Sequence, residues 1–329
     1  MSEGTDVRQK ISWAGIVCLL LLFLAGCSQE QQAVDLYVDA AMLREFNEQD
    51  KAVEKLNSAV KLNKHFSLAY SLLGEIYQDK KNYEKSAGYY EKATKLNPWS
   101  FGDYFNLGRV YQTMERFTSA VKAYGRACAL KPDHLDAHVN AARCYYELKD
   151  YDKALMVTAK AERIDPNAGE VKELFGDIYE SKKDYEQAIA SYKRAMEVDS
   201  NNPRIMSSLA VAYLKTNRNE PARELLASVV LLQPDNGEAY KHLGYCHLRL
   251  GEVDGALECY GSAVEIDPND WDAHRGLGVA CVLKGKHKNG TVDDDWKTKA
   301  VEHWNRSLDI RPNQPSRERL LKMIKHYSK

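Results

Sequence analysis

The chain has 329 residues, 44% of them apolar, with 46 Lys plus Arg against 47 Asp plus Glu. That apolar content is ample for a buried core and excludes disorder, and a net charge of −1 gives no bulk electrostatic case for nucleic acid or an anionic membrane surface. Seven Cys exclude a disulfide-scaffold class, 9 Pro and 19 Gly leave long stretches free to be helical, and 20 Tyr beside 7 Phe show that something repeated uses the hydroxylated ring. At the N-terminus, Glu3, Asp6, Arg8 and Lys10 precede an apolar run from Ile11 to Ala25, which ends at Gly26-Cys27. The run is of signal-peptide length and shorter than the ~20 residues of a comfortable bilayer span.

The tetrad Leu24-Ala25-Gly26-Cys27 resembles a bacterial lipobox. The resemblance implies a signal peptide over 1–26, removed before a Cys27 that carries lipid, with 27–32 as the tether. Ser28 after the Cys implies export to the outer membrane, facing the periplasm. The alternative is an uncleaved N-terminal anchor, and either reading ties the chain to a membrane. Ser28-Gln-Glu-Gln-Gln32, if extended, reaches about 17 Å, so the folded part begins close to the bilayer.

From residue 33 a single period organises the chain. Gly74, Gly108, Ala142, Gly176, Ala210, Gly244 and Gly278 fall every 34 residues. With each repeat numbered from 1, these stand at position 8; small residues recur at position 20 (Ala52 to Ala256) and position 27 (Ala59 to Ala263), where two helices must approach closely. Position 32 is Pro98, Pro132, Pro166, Pro234 and Pro268, and a ring without an N–H ends a helix there. Apolar residues at 4, 7 and 11 and at 17, 20, 24 and 27 keep the spacing of two amphipathic helices joined by a short turn.

Small residues at 8, 20 and 27, aromatics at 4, 11, 17 and 24, and Pro at 32 resemble the tetratricopeptide repeat, as in Tyr70-x-x-Leu73-Gly74-x-x-Tyr77 followed by Tyr83, Ser86, Tyr90, Ala93 and Pro98. The resemblance implies an all-α, right-handed superhelical α-solenoid of eight repeats over 33–314 with a C-terminal capping helix over 315–329. The last repeat, 271–314, carries ten extra residues near 284–297, because Ala300, Trp304, Ser307 and Pro312 resume the pattern late. In the capping helix Leu320, Leu321, Ile324 and Tyr327 form the expected buried stripe, opposite Arg317, Arg319, Lys322 and Lys325.

In this family the first helix of each repeat lines a concave groove through positions 2, 5, 6, 9, 12 and 13. Carried over, the third and fourth repeats offer Phe105, Asn106, Arg109, Gln112, Val139, Asn140, Arg143 and Tyr146, with Trp99 at the preceding junction and Tyr245 in the seventh repeat. Aromatic surface, a guanidinium fork and amides together suit a peptide. Asn106 and Asn140, both at position 6, resemble two rungs of an asparagine ladder that grips an extended backbone. Glu170, Glu173, Asp177 and Glu180 followed by Arg204, Lys215, Lys241, Arg249 and Arg275 suggest a groove of alternating charge.

Signals for chemistry are sparse. His138, His247 and His274 sit at packing positions, and Asp293-Asp294-Asp295 beside His287 reads as a wet acidic turn rather than a metal site. There is no G-x-S-x-G, no Gly-rich phosphate loop and no Cys-x-x-Cys. Cys246 and Cys259 lie on the two helices of one repeat, a placement compatible with a disulfide. The sequence thus describes a non-enzymatic, lipid-anchored scaffold of the bacterial envelope. It is expected to need no cofactor, to bind a protein or peptide, and to take neither nucleic acid nor a small-molecule substrate. In plan it resembles the tetratricopeptide lipoproteins of type IV pilus biogenesis, secretion or polysaccharide export. The rival readings are an accessory or hydrolytic envelope enzyme that uses the insert, and an anchored regulator facing the cytosol.

Overall fold

The computed structural model describes residues 13–328, with side chains from Ser28 onward. The start of the expected signal peptide and the Cys27 side chain lie outside the described residues. Two compact blocks divide between Ile164 and Asp165. In the N-terminal block the helices are α1 (Trp13–Glu45), α2 (Gln49–Leu62), α3 (Ser67–Asp79), α4 (Tyr83–Leu96), α5 (Phe101–Thr113), α6 (Phe117–Leu130), α7 (Leu135–Glu147) and α8 (Tyr151–Ile164). The C-terminal block holds α9 (Gly169–Ser181), α10 (Tyr185–Val198), α11 (Pro203–Lys215), α12 (Asn219–Leu232), α13 (Gly237–Leu250), α14 (Val253–Ile266), α15 (Trp271–Lys284), α16 (Asp294–Ile310) and α17 (Arg317–Tyr327). Residues 28–32, which the sequence suggests as an extended tether, are helical and continue α1; Ser, Gln and Glu carry no backbone veto on helix.

Consecutive helices pack as pairs, α3 on α4 and α13 on α14 for example. First helices also approach one another, α1 to α3 and α5 to α7 in one block, and α9, α11, α13 and α15 in sequence in the other. They form the inner row of each block, and the second helices form the outer row.

The turn inside each pair but the last is a left-handed cap. Asn47, Lys81, Glu115, Lys149, Lys183, Asn217 and Gly251, all at position 15, have φ between 56° and 77°. The next N–H returns to the carbonyl at position 11 over 2.8–3.0 Å, from Asn82 to Tyr77 and from Asp184 to Tyr179 among others. This six-to-one bond satisfies a helix-end carbonyl that would otherwise lack a partner.

The core is built by one exchange of volume. Where position 8 is Gly, position 24 is a large ring: Gly74 with Tyr90, Gly108 with Tyr124, Gly176 with Tyr192, Gly244 with Tyr260 and Gly278 with Trp304. A Cβ at any of these glycines would come within 2.9 Å of that ring. Where position 8 is Ala40, Ala142 or Ala210, position 24 is the smaller Leu56, Thr158 or Leu226, all buried. Interiors are close-packed, so the atoms given up on one helix are returned by its partner.

In the last pair the extra residues form a short hairpin. Lys286 bridges Val292, Gly290 turns at φ 87°, and Val292 is buried beside Trp304 and Leu320. Asp293 then caps α16 by accepting from the Asp295 N–H at 3.0 Å, and Asp294 pairs with Lys297 at 2.7 Å. The acid run is therefore a helix start, where carboxylates are favoured. On α17 the buried stripe is Leu320 with Met323, Ile324 and Tyr327, whereas Leu321, expected in it, is 41% exposed. The 3.6-residue turn takes Met323 inward one turn after Leu320 and leaves Leu321 outward.

Position 4 holds histidine twice, and both rings donate from Nε2 to the preceding proline carbonyl, His138 to Pro132 at 3.0 Å and His274 to Pro268 at 3.2 Å. His274 has a partner that sequence spacing does not show: His303 on α16 lies 3.1 Å away, Nδ1 to Nδ1. Because the His274 Nε2–H is given to the proline carbonyl, its Nδ1 is the acceptor and His303 the donor of this bond. Burial, then the neighbouring His274, hold His303 below its ordinary 6.5, against an opposing pull from Glu302. An unfolded chain takes up a proton below 6.5 that the folded one refuses, so this contribution to stability is complete above that pH and is lost on acidification. The melting temperature should therefore fall as pH drops from 7 to about 5. His303→Val should flatten that slope in thermal melts across the series, leaving the share of His242, also depressed by burial.

A candidate peptide groove on the inner helices

The predicted groove residues of the N-terminal block lie on α5 and α7, neighbouring helices of the inner row. They separate into those that face outward and those that hold the wall. Trp99, at the α4–α5 junction, is 80% exposed, with its backbone N–H donated to Asn97 Oδ1 at 3.2 Å. Arg109 is exposed and makes no ion pair among the described residues. Asn106 and Asn140 are half-buried, and their amides bond to no other described residue, which leaves both donors and acceptors for a ligand backbone. Arg143 and Tyr146 are half-buried on the same helix as Asn140, and the Tyr146 ring stands 5.9 Å from Tyr151.

Three predicted residues serve the scaffold. Val139 is only 2% exposed, because position 5 on α7 turns into the packing layer, so it is not a contact residue. Gln112 accepts the Tyr124 hydroxyl at 2.7 Å, and Gln78 and Glu180 do the same for Tyr90 and Tyr192 at 3.4 and 3.0 Å. Position 12 is thus the hydrogen-bond seat of the buried ring, with only its outer atoms left for a partner. Phe105 lies between Phe101 at 5.6 Å, the Tyr124 edge at 5.8 Å and His134 at 5.2 Å. Its ring is thus held in an aromatic cluster with those three residues.

In the C-terminal block Tyr245 is 39% exposed and receives a hydrogen bond from Arg249 at 3.2 Å. It lines a cavity of about 300 Å³ with Leu248, Arg275, Val279, Arg319 and Met323. The α17 side of that cavity was not legible from spacing, since a terminal helix reads as a cover. A second hollow of about 230 Å³, lined by Tyr37, Arg44, Leu68 and Glu75, opens at the first inner helices.

The alternating charges of the C-terminal inner row are largely spent inside the protein. Arg204 on α11 pairs with Glu173 and lies 3.9 Å from Asp177 on α9. Lys241 bridges Glu238 at 2.6 Å and Asp270 at 2.9 Å, and Arg275 pairs with Asp272. Adjacent inner helices bring acid and base within reach, so most of this charge fixes the helix row. Burial also pushes Glu180 above the usual carboxylate range, against the hydrogen bond from Tyr192. All five described cysteines are free, Cys246 and Cys259 included, and burial pushes those two thiols up to about 12. Among the described residues no group of three or more His, Cys, Asp or Glu could hold a metal, and no helix is long and apolar enough to cross a membrane.

Residues 29–279 match the family described as the cilia and flagella-associated protein 70 C-terminal domain, a tetratricopeptide-repeat model. The chain belongs to this tetratricopeptide-repeat family. No curated protein matches it in sequence. Among solved structures, this tetratricopeptide-repeat protein is similar to YrrB, described as a TPR protein with an unusual peptide-binding site, at 22% identity and TM-score 0.53, over 64% of this chain and 99% of that one. It is similar to Pseudomonas aeruginosa PilF at 21% identity and TM-score 0.53, over 63% and 94% of the two chains. A tetratricopeptide repeat protein from Parabacteroides merdae ATCC 43184 aligns at 15% identity and TM-score 0.56, over 80% and 99%. At these identities the likeness is one of fold.

Proposed function

We propose that this tetratricopeptide-repeat protein is a membrane-tethered scaffold that binds a protein or peptide along the inner row of its N-terminal block and assists assembly of an envelope complex in pilus biogenesis, secretion or polysaccharide export. The observation that carries the binding reading is the set of polar side chains on the inner helices α5 and α7, Asn106, Arg109 and Asn140, that make no hydrogen bond or ion pair among the described residues, with Trp99 80% exposed at the α4–α5 junction. Amides at position 6 of neighbouring helices match main-chain groups of an extended ligand, and Arg109 offers a fork for a carboxylate. YrrB, of the same fold, is described with a peptide-binding site, which supports the class of ligand.

The tether reading rests on Leu24-Ala25-Gly26-Cys27, and Ser28 after that Cys supports an outer-membrane location facing the periplasm. A lipid pair on Cys27 would hold stably where a single chain binds only marginally. Arg109→Ala with Arg143→Ala should cut partner recovery in a crosslinking pull-down from intact cells about tenfold or more while barely moving the melting temperature; an unchanged partner list would remove the groove assignment. Fatty-acid labelling should vanish in Cys27→Ser, and label that persists would remove the lipidation.

A further inference from the structure

The near-zero net charge conceals two outer helices of opposite sign. From Arg116 to Pro132 the chain has four cations and no carboxylate; from Leu250 to Ala273 it has seven carboxylates and no Lys, Arg or His. Internal pairing leaves the contrast standing. On the basic segment Arg116 alone has an ion-pair partner among the described residues, Glu84 at 3.8 Å. On the acidic one Glu252, Asp254, Asp270 and Asp272 are paired, whereas Glu258, Glu265 and Asp267 have no ion-pair partner among the described residues.

The two faces correspond residue for residue in the repeat. Positions 22, 25, 26 and 29 are Lys122, Gly125, Arg126 and Ala129 on α6, and Glu258, Gly261, Ser262 and Glu265 on α14. This spacing of three and four puts each set on one helix face, and all four on α6 are exposed. Both glycines look onto open space, with no atom within 4 Å of where a Cβ would sit. Glycine is unfavourable inside a helix, and neither one makes room for a neighbour in the monomer. A bare backbone at the centre of each face permits close approach of another helix, and the flanking charges of one face complement those of the other.

We infer that the protein associates with a second copy of itself, the basic outer face of α6 on one copy docking on the acidic outer face of α14 on the other. The contact is electrostatically selected, so it weakens as salt screens the faces over a Debye length of about 10 Å at 0.1 M. It uses the outer row and leaves the inner groove open.

The test is capture between two differently tagged full-length copies, co-expressed and extracted in mild detergent. Wild-type copies should capture each other at low ionic strength and lose most of that capture at high ionic strength. Lys122→Glu with Arg126→Glu should reduce self-capture about tenfold or more, as should Glu258→Lys with Glu265→Lys, and mixing the two variants should restore it because each basic face again meets an acidic one. Circular dichroism melts matching wild type establish that both variants fold. Wild-type copies that never capture each other, single variants that retain capture, or a mixture that fails to regain it would each overturn the inference.

Discussion

Trp304→Ala should destabilise the C-terminal block by about 3–5 kcal/mol, the range for removing a fully buried Trp. Its side chain is 0% exposed, sits where a Cβ on Gly278 would fall, and donates from Nε1 to the Arg275 carbonyl at 3.3 Å. Its ring lies 5.8 Å from Tyr327, so α17 docks partly on it. The loss therefore combines lost apolar burial, a cavity that α15 and α16 cannot close without moving, and a carbonyl left without its donor. Urea denaturation should show the lower midpoint, and amide exchange should locate the lost protection in α15, α16 and α17. A midpoint within experimental scatter of wild type would mean that the Trp304 site repacks.

Gly176→Ala should also destabilise, although alanine is the better helix former. The added Cβ would stand 2.3 Å from the Tyr192 ring. That ring cannot retreat: it is fully buried, and its hydroxyl donates to Asp177 at 2.8 Å and Glu180 at 3.0 Å. Overpacking of this kind costs about 1–3 kcal/mol, more than the propensity gain of roughly 0.5–1 kcal/mol. Gly88 on α4 has nothing within 4 Å of its Cβ position, so Gly88→Ala should show the propensity gain alone. Opposite shifts in the urea midpoint for one chemical change would separate packing from propensity; shifts of the same sign would show that the Gly176 contact is not tight.

Packing by Gly or Ala at position 8 was legible in the sequence because it recurs every 34 residues, and so was the pairing of helices. The left-handed turn at position 15 was not. Six of its seven occupants are Lys, Glu or Asn, and Gly251 alone is the Gly that signals such a turn, so the returning hydrogen bond is what reveals it. The His274–His303 pair was hidden because its members are 29 residues apart and meet only when α15 packs on α16. In the candidate groove, Asn106, Arg109 and Asn140 are where the repeat pattern puts them, but Val139 and Gln112 belong to the wall. Periodicity tells which residues share a face; it does not tell how deep the neighbouring helix row buries the edge of that face. The inner charges failed for a related reason, since Arg204 and Glu173 stand 31 positions apart and find each other before any ligand does.

The reciprocal sizes at positions 8 and 24 bear on how such a chain can be inherited. Both members lie within one 34-residue frame, Gly244 with Tyr260 or Ala210 with Leu226, so a duplication or exchange with breakpoints between frames transmits the matched set intact. A crossover inside a frame would join the first helix of one repeat to the second helix of another. Ala142 would then face a tyrosine with no room for it, or Gly108 a leucine that leaves a void. Between repeats of different pairing, viable breakpoints thus fall outside the span from position 8 to position 24, whereas repeats with the same pairing, such as Gly74 with Tyr90 and Gly108 with Tyr124, can exchange helices freely.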